Sequence, residues 1–365
     1  MIWIDFDNSP HVPLLSPIVH ALRDEGMEVL CTARDYTQTI ALLEQSGLPY
    51  LHVGRSFGKK KLVKAASLAL RLAQLYAAVR NKPIQLAVNH GSRTQTACAR
   101  MLGLPSLVMA DYEYTDVSVF RRFATKFCTP KIIPSENLTS LGFENEQITQ
   151  YDGFKECIYL ENFQPEPGFR RKHRLPKDKI LVTLRPPGTA GNYHDARSEK
   201  LCFTLLERLI SSEKYYTVLL PKNPFEKRDF LAFLKEKARF DNWIIPENPL
   251  PGLQLIWHSD VVVSGGGTMN REGALLNVPT YSIFTARKGA VDQHLEKEKK
   301  LSFLDSTDDI NKLPLAKREI PTHFTFALPS VREEIVRKII DMATKGKKSF
   351  EPIRRDSQNV ILQES

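Results

Sequence analysis

The strongest constraint on this chain is a repeated alternation of short, β-branched apolar runs with longer helical patterns. In the first half, residues 2–6, 28–32, 50–53, 86–89 and 107–110 have the length and composition of strands. Between them, residues 14–25, 37–45, 62–79 and 93–102 read as helices. Gly26, Gly47 and Gly103 fall just past helical stretches, where a left-handed cap residue is expected. The pattern lapses over residues 151–174, which carry Pro165, Pro167, Gly168 and the cluster Arg170-Arg171-Lys172. This stretch reads as a connection between domains. The alternation then resumes, with strands expected at 180–184, 217–220, 243–245, 260–264 and 280–284. Helices are expected at 198–211, 225–239, 253–258, 270–276, 291–299 and 330–344.

Alternation of this kind buries both faces of a mostly parallel sheet under helices. A chain of 365 residues is long enough for two such units. The fold class expected is therefore α/β, with two Rossmann-like parallel-sheet domains facing a cleft. The first domain is placed at 1–155 and the second at 156–330. A final helix at 331–346 packs back on the first domain, and 347–365 form a loose tail.

Composition narrows the setting. No apolar run reaches the roughly 18–20 residues that span a bilayer. The opening Met1-Ile2-Trp3-Ile4-Asp5 lacks the basic start of a signal peptide. Five scattered cysteines without a CxxC pair suit reduced thiols and a cytoplasmic protein, and offer no zinc site. The net charge of +9 suggests an anionic partner. Residues 45–110 contain no Asp or Glu, and ten Lys and Arg lie between Arg55 and Arg100. That basic 55–100 region is either a solvated face or a surface for anionic lipid or a lipid-linked acceptor, giving a protein peripheral at the membrane. No recognisable nucleic-acid-binding module appears.

Ligands of open α/β sheets bind beyond the carboxyl ends of the strands, so the residues after each strand are the candidates. Foremost is Ser264-Gly265-Gly266-Gly267-Thr268, between an apolar strand and a helix. Glycines let backbone amides approach a ligand, and a helix N-terminus favours phosphate. Glu272, one turn into that helix, can accept hydrogen bonds from two neighbouring hydroxyls, as on a ribose. After the strand at 180–184, Arg185 can fork onto phosphate. Gly188 and Thr189 supply open backbone and a hydroxyl, and His194 follows. After the strand at 280–284 come Arg287, Lys288, Asp292 and Gln293, able to meet phosphate, hydroxyls or a base edge. In the first half, Asp7, Asn8, Ser9 and His11 crowd the end of the first strand, and His11 or Asp7 is the candidate catalytic base. His90, Asp111 and Glu113 follow later strands and are candidate sugar or acceptor contacts.

Taken together, these segments resemble the family called domain of unknown function 354 along nearly the whole chain. The matching stretches are Ile4-Asp5-Phe6-Asp7-Asn8-Ser9-Pro10-His11, Asn89-His90-Gly91-Ser92, Leu184-Arg185-Pro186-Pro187-Gly188-Thr189 and Gly265-Gly266-Gly267-Thr268-Met269-Asn270-Arg271-Glu272. The architecture is similar to the GT-B glycosyltransferases, a class that also holds the non-hydrolysing UDP-N-acetylglucosamine 2-epimerases. Resemblance to the lipid-linked N-acetylglucosamine transferase of peptidoglycan synthesis implies diphosphate at Gly266, Gly267 and Thr268, and ribose at Glu272. Asp292-Gln293 is similar to the acidic-Gln pair of such enzymes. The glycine-rich first loop of those transferases is replaced here by Asp7-Asn8-Ser9-Pro10-His11.

The function expected is a metal-independent glycosyltransferase with a nucleotide-sugar donor, of which a UDP-sugar is one candidate, and no cofactor. Its alternatives are an epimerase or hydrolase of the same fold, or a non-enzymatic nucleotide-sugar-binding protein. Asp5-Phe6-Asp7 also resembles the nucleophile motif of haloacid-dehalogenase-type phosphatases. That chemistry needs an acidic pair after a later strand, and Asp308-Asp309 follows no convincing strand pattern.

Overall fold

The computed structural model describes residues 1–36, 38–55, 61–187 and 195–348. Its first unit runs β1 (Ile2–Phe6), α1 (His11–Asp24), β2 (Val29–Asp35), α2 (Thr39–Ser46), β3 (Leu51–Arg55), α3 (Lys61–Val79), β4 (Leu86–His90), α4 (Arg93–Met101), β5 (Ser106–Met109), α5 (Ser118–Phe123), β6 (Lys126–Pro130), α6 (Ser135–Ser140) and β7 (Ile148–Tyr151). Two short helices, α7 (Cys157–Leu160) and α8 (Phe169–Lys172), occupy the connection. The second unit runs β8 (Ile180–Arg185), α9 (Ala196–Ile210), β9 (Tyr215–Leu219), α10 (Pro224–Lys237), β10 (Trp243–Ile244), α11 (Gly252–His258), β11 (Val261–Ser264), α12 (Thr268–Leu275), β12 (Thr280–Ser282), α13 (Ala290–Lys297), β13 (Ser302–Phe303) and α14 (Thr307–Lys312). A last helix, α15 (Val331–Lys348), follows an extended crossing.

Each unit is one parallel sheet. The first has seven strands in the order β3-β2-β1-β4-β5-β6-β7, the second six in the order β10-β9-β8-β11-β12-β13. In both, the chain starts in the middle, winds outward, then returns to the other side of its first strand. Ile4 of β1 thus pairs Cys31 of β2 on one side and Val88 of β4 on the other. Val182 of β8 is likewise flanked by Thr217 and Val261. Where the winding reverses, between β1 and β4 and between β8 and β11, helices leave on opposite faces and a crevice opens at the strand ends.

Strand periodicity sorts the core. Ile2, Ile4 and Phe6 face one side of the first sheet, under α1, and Trp3 faces the other, under α3 and α4. All are fully buried. The last helix returns to the first unit: Val331, Ile335, Ile339 and Ala343, four apart, form a buried stripe against α1 and α7. The five cysteines are free and buried. Among the described residues no helix is long and apolar enough to cross a membrane.

The expected strands are all present, with ends shifted by a few residues. Strands β6, β7 and β13 were not expected. β6 opens on Lys126 and closes on Pro130, β7 alternates only weakly, and β13 is two residues long. Sheet pairing rather than local pattern makes them strands.

Candidate functional site

The loops at both reversal points carry the singled-out residues. On the second sheet, β11 runs into Gly265-Gly266-Gly267 and α12. Gly265 has no room for a side chain: a Cβ there would sit 2.3 Å from the Pro187 backbone. Its N–H donates to the Arg185 carbonyl at 2.9 Å, so the ends of β8 and β11 are clamped together. Gly267, at φ 82° and ψ −149°, is in a region open essentially to glycine alone and sits at the N-cap of α12. No side chain caps that helix and no acid lies in its first turn. Its opening N–H groups, from Thr268 onward, and its positive dipole end therefore suit an anion.

Two cations lie to one side of this turn, at and beyond the ends of β8 and β9. Arg185 at the end of β8 is held below its usual range, chiefly by burial. Lys222, after β9, is lowered by burial and then by Arg185. Cations whose charge burial disfavours are receptive to an anion. Glu272 accepts a hydrogen bond from the Tyr159 hydroxyl at 2.8 Å. Burial pushes the Glu272 carboxyl up to about 7, with Glu156 adding and Tyr159 opposing.

The first sheet presents an acid–base wall. His11 opens α1 and its ring lies 5.1 Å from that of His90, at the end of β4. Burial holds the His11 imidazole well below its usual range, helped by His90 and Lys155, so it is neutral near pH 7. Its Nδ1 is buried without a hydrogen-bond partner in the fold. His90 is lowered by burial too, and its Nε2 lies 3.3 Å from Asp111.

Asp7 is engaged differently. It lies 3.3 Å from Arg71 and 3.4 Å from Arg34, and burial raises its carboxyl. Arg71 reaches in from α3 and grips Asp5 with contacts of 2.8 and 3.0 Å. Asp5 also accepts from Thr32 and Ser92, each at 2.6 Å. With its oxygens occupied, Asp5 is structural, which removes the phosphatase-like nucleophile reading. Asp308 and Asp309 lie on α14, paired with Lys312 and Ser306. Asn8 accepts from the Ser9 N–H at 2.9 Å and shapes the turn into α1.

A buried ionic junction joins the two walls. Arg271 of α12 donates to Asp292 of α13 at 2.8 Å and to Asp111 across the cleft. Lys155, from the connection, meets Asp111 at 2.7 Å. Both cations lie 3.9 Å from Glu156, whose carboxyl oxygens are buried without a hydrogen bond and whose pKa burial raises. Asp111 is held well below the carboxylate range by Lys155 and Arg271, against burial. Glu113 accepts from the Ala290 N–H at 2.9 Å, the Tyr112 hydroxyl donates to the Arg287 carbonyl at 2.8 Å, and Arg287 lies over the Tyr114 ring. Asp111 and Glu113 thus join the two units, and Asp292 holds Arg271 in place for its part. Gln293 is exposed and donates to the Lys288 carbonyl at 3.2 Å.

The structure therefore gathers His11, His90 and Asp111 on one wall and Arg185, Gly265–Thr268 and Glu272 on the other. Gly188, Thr189 and His194 lie outside the described residues. Sequence reasoning missed Lys155, Glu156, Tyr159, Lys222 and Arg271 as site residues. Lys222 follows a strand and was findable by the rule already applied. The others lie on a connection or inside a helix, where no local pattern marks them.

A family model described as a protein of unknown function (DUF354) matches residues 1–342. The chain belongs to this DUF354 family. A relative of this chain is the uncharacterized protein MJ0665 of Methanocaldococcus jannaschii, 26% identical over 326 residues, covering 85% of this chain and 89% of that one. Among solved structures, the fold matches a UDP-GlcNAc 2-epimerase of M. jannaschii in complex with UDP-GlcNAc and UDP, at TM-score 0.73 and 16% identity, over 93% of this chain and 99% of the other. The UDP-GlcNAc 2-epimerase of Neisseria meningitidis bound to UDP-GlcNAc matches at TM-score 0.72 and 12% identity, with the same coverage. Anabaena Alr3699/HepE in complex with UDP and glucose matches at TM-score 0.59 and 13% identity, over 96% and 98%. Like these proteins, this DUF354 member has the two-sheet, GT-B-like fold, and identities this low speak to fold alone.

Proposed function

We propose that this DUF354 protein binds a nucleoside-diphosphate sugar across the cleft and transfers the sugar to an acceptor. One observation carries the reading: the uncapped N-terminus of α12, built on glycine, lies beside Arg185, with Glu272 one turn further in. Diphosphate fits the helix end and the two cations, and a ribose diol fits Glu272. The ligands named for the structural neighbours, UDP-GlcNAc, UDP and glucose, support the same class.

In this reading, neutral His11 takes the proton of an acceptor hydroxyl. The acceptor oxygen then forms a bond to the anomeric carbon as the bond to the diphosphate breaks. Arg185, Lys222 and the α12 dipole meet the charge of the leaving nucleoside diphosphate, so no metal is assigned. A second reading, epimerisation, is favoured by the adjacent neutral imidazoles of His11 and His90, which can remove and return a proton at carbon.

Thermal-shift titration with UDP, GDP, CDP and dTDP and their sugars tests the binding step. Stabilisation by at least one is expected, and its loss in Glu272→Ala. A flat screen of folded protein would sink the proposal. Incubating the ligand that binds, without acceptor, separates the reactions: an epimerase changes the sugar unaided, whereas a transferase leaves it unchanged until an acceptor is added.

A further inference from the structure

The net charge of the chain is concentrated in one segment. Residues 45–110 hold ten Lys and Arg and no acid, against +9 for the whole chain, so the remainder is one unit negative; of the ten, Arg71 is buried against Asp5 and takes no part in a surface. The same segment, less than a fifth of the sequence, holds four of the seven exposed large hydrophobics among the described residues: Leu51, Val63, Leu70 and Met101. Helix α3 explains the overlap. Its inward stripe, Ser67, Arg71, Leu75 and Val79, is buried, while Val63 and Leu70 stand out at 39% and 49% exposure among exposed alanines. α4 lies beside α3 over the same sheet face, sharing the core around Trp3, and Met101 at its end is 61% exposed.

We propose that the outer face of α3 and α4 docks on a membrane surface rich in anionic lipid. Apolar side chains inside a basic, acid-free segment suit the boundary between headgroups and acyl chains. A second copy related by two-fold symmetry would bring the exposed cations Arg80, just past α3, and Arg100, on α4, near their own copies, and like charges oppose that pairing. Nucleic acid would satisfy the cations but leave Val63 and Leu70 without a counterpart. α3 follows the carboxyl end of β3, so its N-terminus lies on the cleft side of the first sheet. Docking there brings the cleft towards the lipid surface, where a lipid-linked acceptor would be held. The docking itself does not depend on which reaction the cleft performs.

Flotation of the full chain with phosphatidylcholine vesicles, with and without 30% phosphatidylglycerol, tests this. Binding at least tenfold stronger to the anionic vesicles at low salt is expected, weakened in 0.5 M NaCl. Leu70→Glu, at an exposed site, should lower it tenfold or more while leaving the thermal midpoint and nucleotide-induced stabilisation intact. Absence of anionic-vesicle binding would overturn the proposal, as would unchanged binding by Leu70→Glu. A wild-type dimer that Leu70→Glu converts to monomer without altering vesicle binding would assign the face to a second copy instead. Binding to a DNA or RNA oligonucleotide that Leu70→Glu leaves intact, with no vesicle binding, would assign it to nucleic acid.

Discussion

Glu272 shows how one residue carries two opposed requirements. Its carboxyl is lifted from 4.5 to about 7 by burial, so the folded protein holds the proton more tightly than the unfolded chain does. The favourable contribution is full below pH 4.5 and is lost as pH rises through 7, where the ionised form must be buried. Glu272→Gln should therefore stabilise the protein at pH 8, by on the order of 3 kcal/mol, and have little effect at pH 4.5. Chemical denaturation at the two pH values reads this directly. If the ionised carboxylate accepts the ribose hydroxyls, affinity for a nucleotide sugar should rise between pH 6 and 8, and Glu272→Gln should flatten that rise. His11 is the complementary case. Neutral and with an unpaired Nδ1, it is suited to take a proton, and His11→Ala should lower turnover about 10²–10⁴-fold while nucleotide-induced stabilisation persists. Steady-state kinetics beside a thermal-shift titration would separate the two effects.

At the scale of elements, the turn between β11 and α12 acts through the absence of side chains. Gly265→Ala would press a methyl into the Pro187 backbone, which can yield only if β8 and β11 part. A loss of about 1–3 kcal/mol or more in stability is expected, together with weakened nucleotide binding, measurable by denaturant titration and calorimetry. Gly267→Ala meets open space and is penalised by backbone conformation alone. Those glycines are legible in the amino-acid sequence, as are the strands of both sheet centres, because buried parallel strands are nearly continuous apolar runs. Edge strands such as β13 are not, since their pairing comes from neighbours distant in sequence. The site divides the same way. Residues just after strands, His11, His90, Arg185 and Glu272 with its turn, can be located by topology. Arg271 sits within a helix beside Glu272, and only the packing of α12 against α13 and the β5–α5 loop makes it the centre of an ionic junction.

For the whole molecule, that junction is the ionic link between the two sheets. Asp111 belongs to the first unit, Arg271 and Asp292 to the second, and Lys155 to the chain between them. Arg271→Met removes a buried cation from between carboxylates and should cost about 3–5 kcal/mol, since Asp292 stays buried without its cation and Asp111 is left with Lys155 alone among its cations. Calorimetry should then show unfolding spread over a wider temperature range than in the unaltered protein, or split into two transitions. The return of α15 has a different consequence, one of order in time. The first sheet is translated before the second, yet the apolar stripe that covers α1 and α7 lies at Val331, Ile335, Ile339 and Ala343, beyond the second sheet in the chain. During synthesis the amino-terminal half must wait, partly uncovered, while the carboxyl-terminal half is completed. The first unit is completed only after the second has been made.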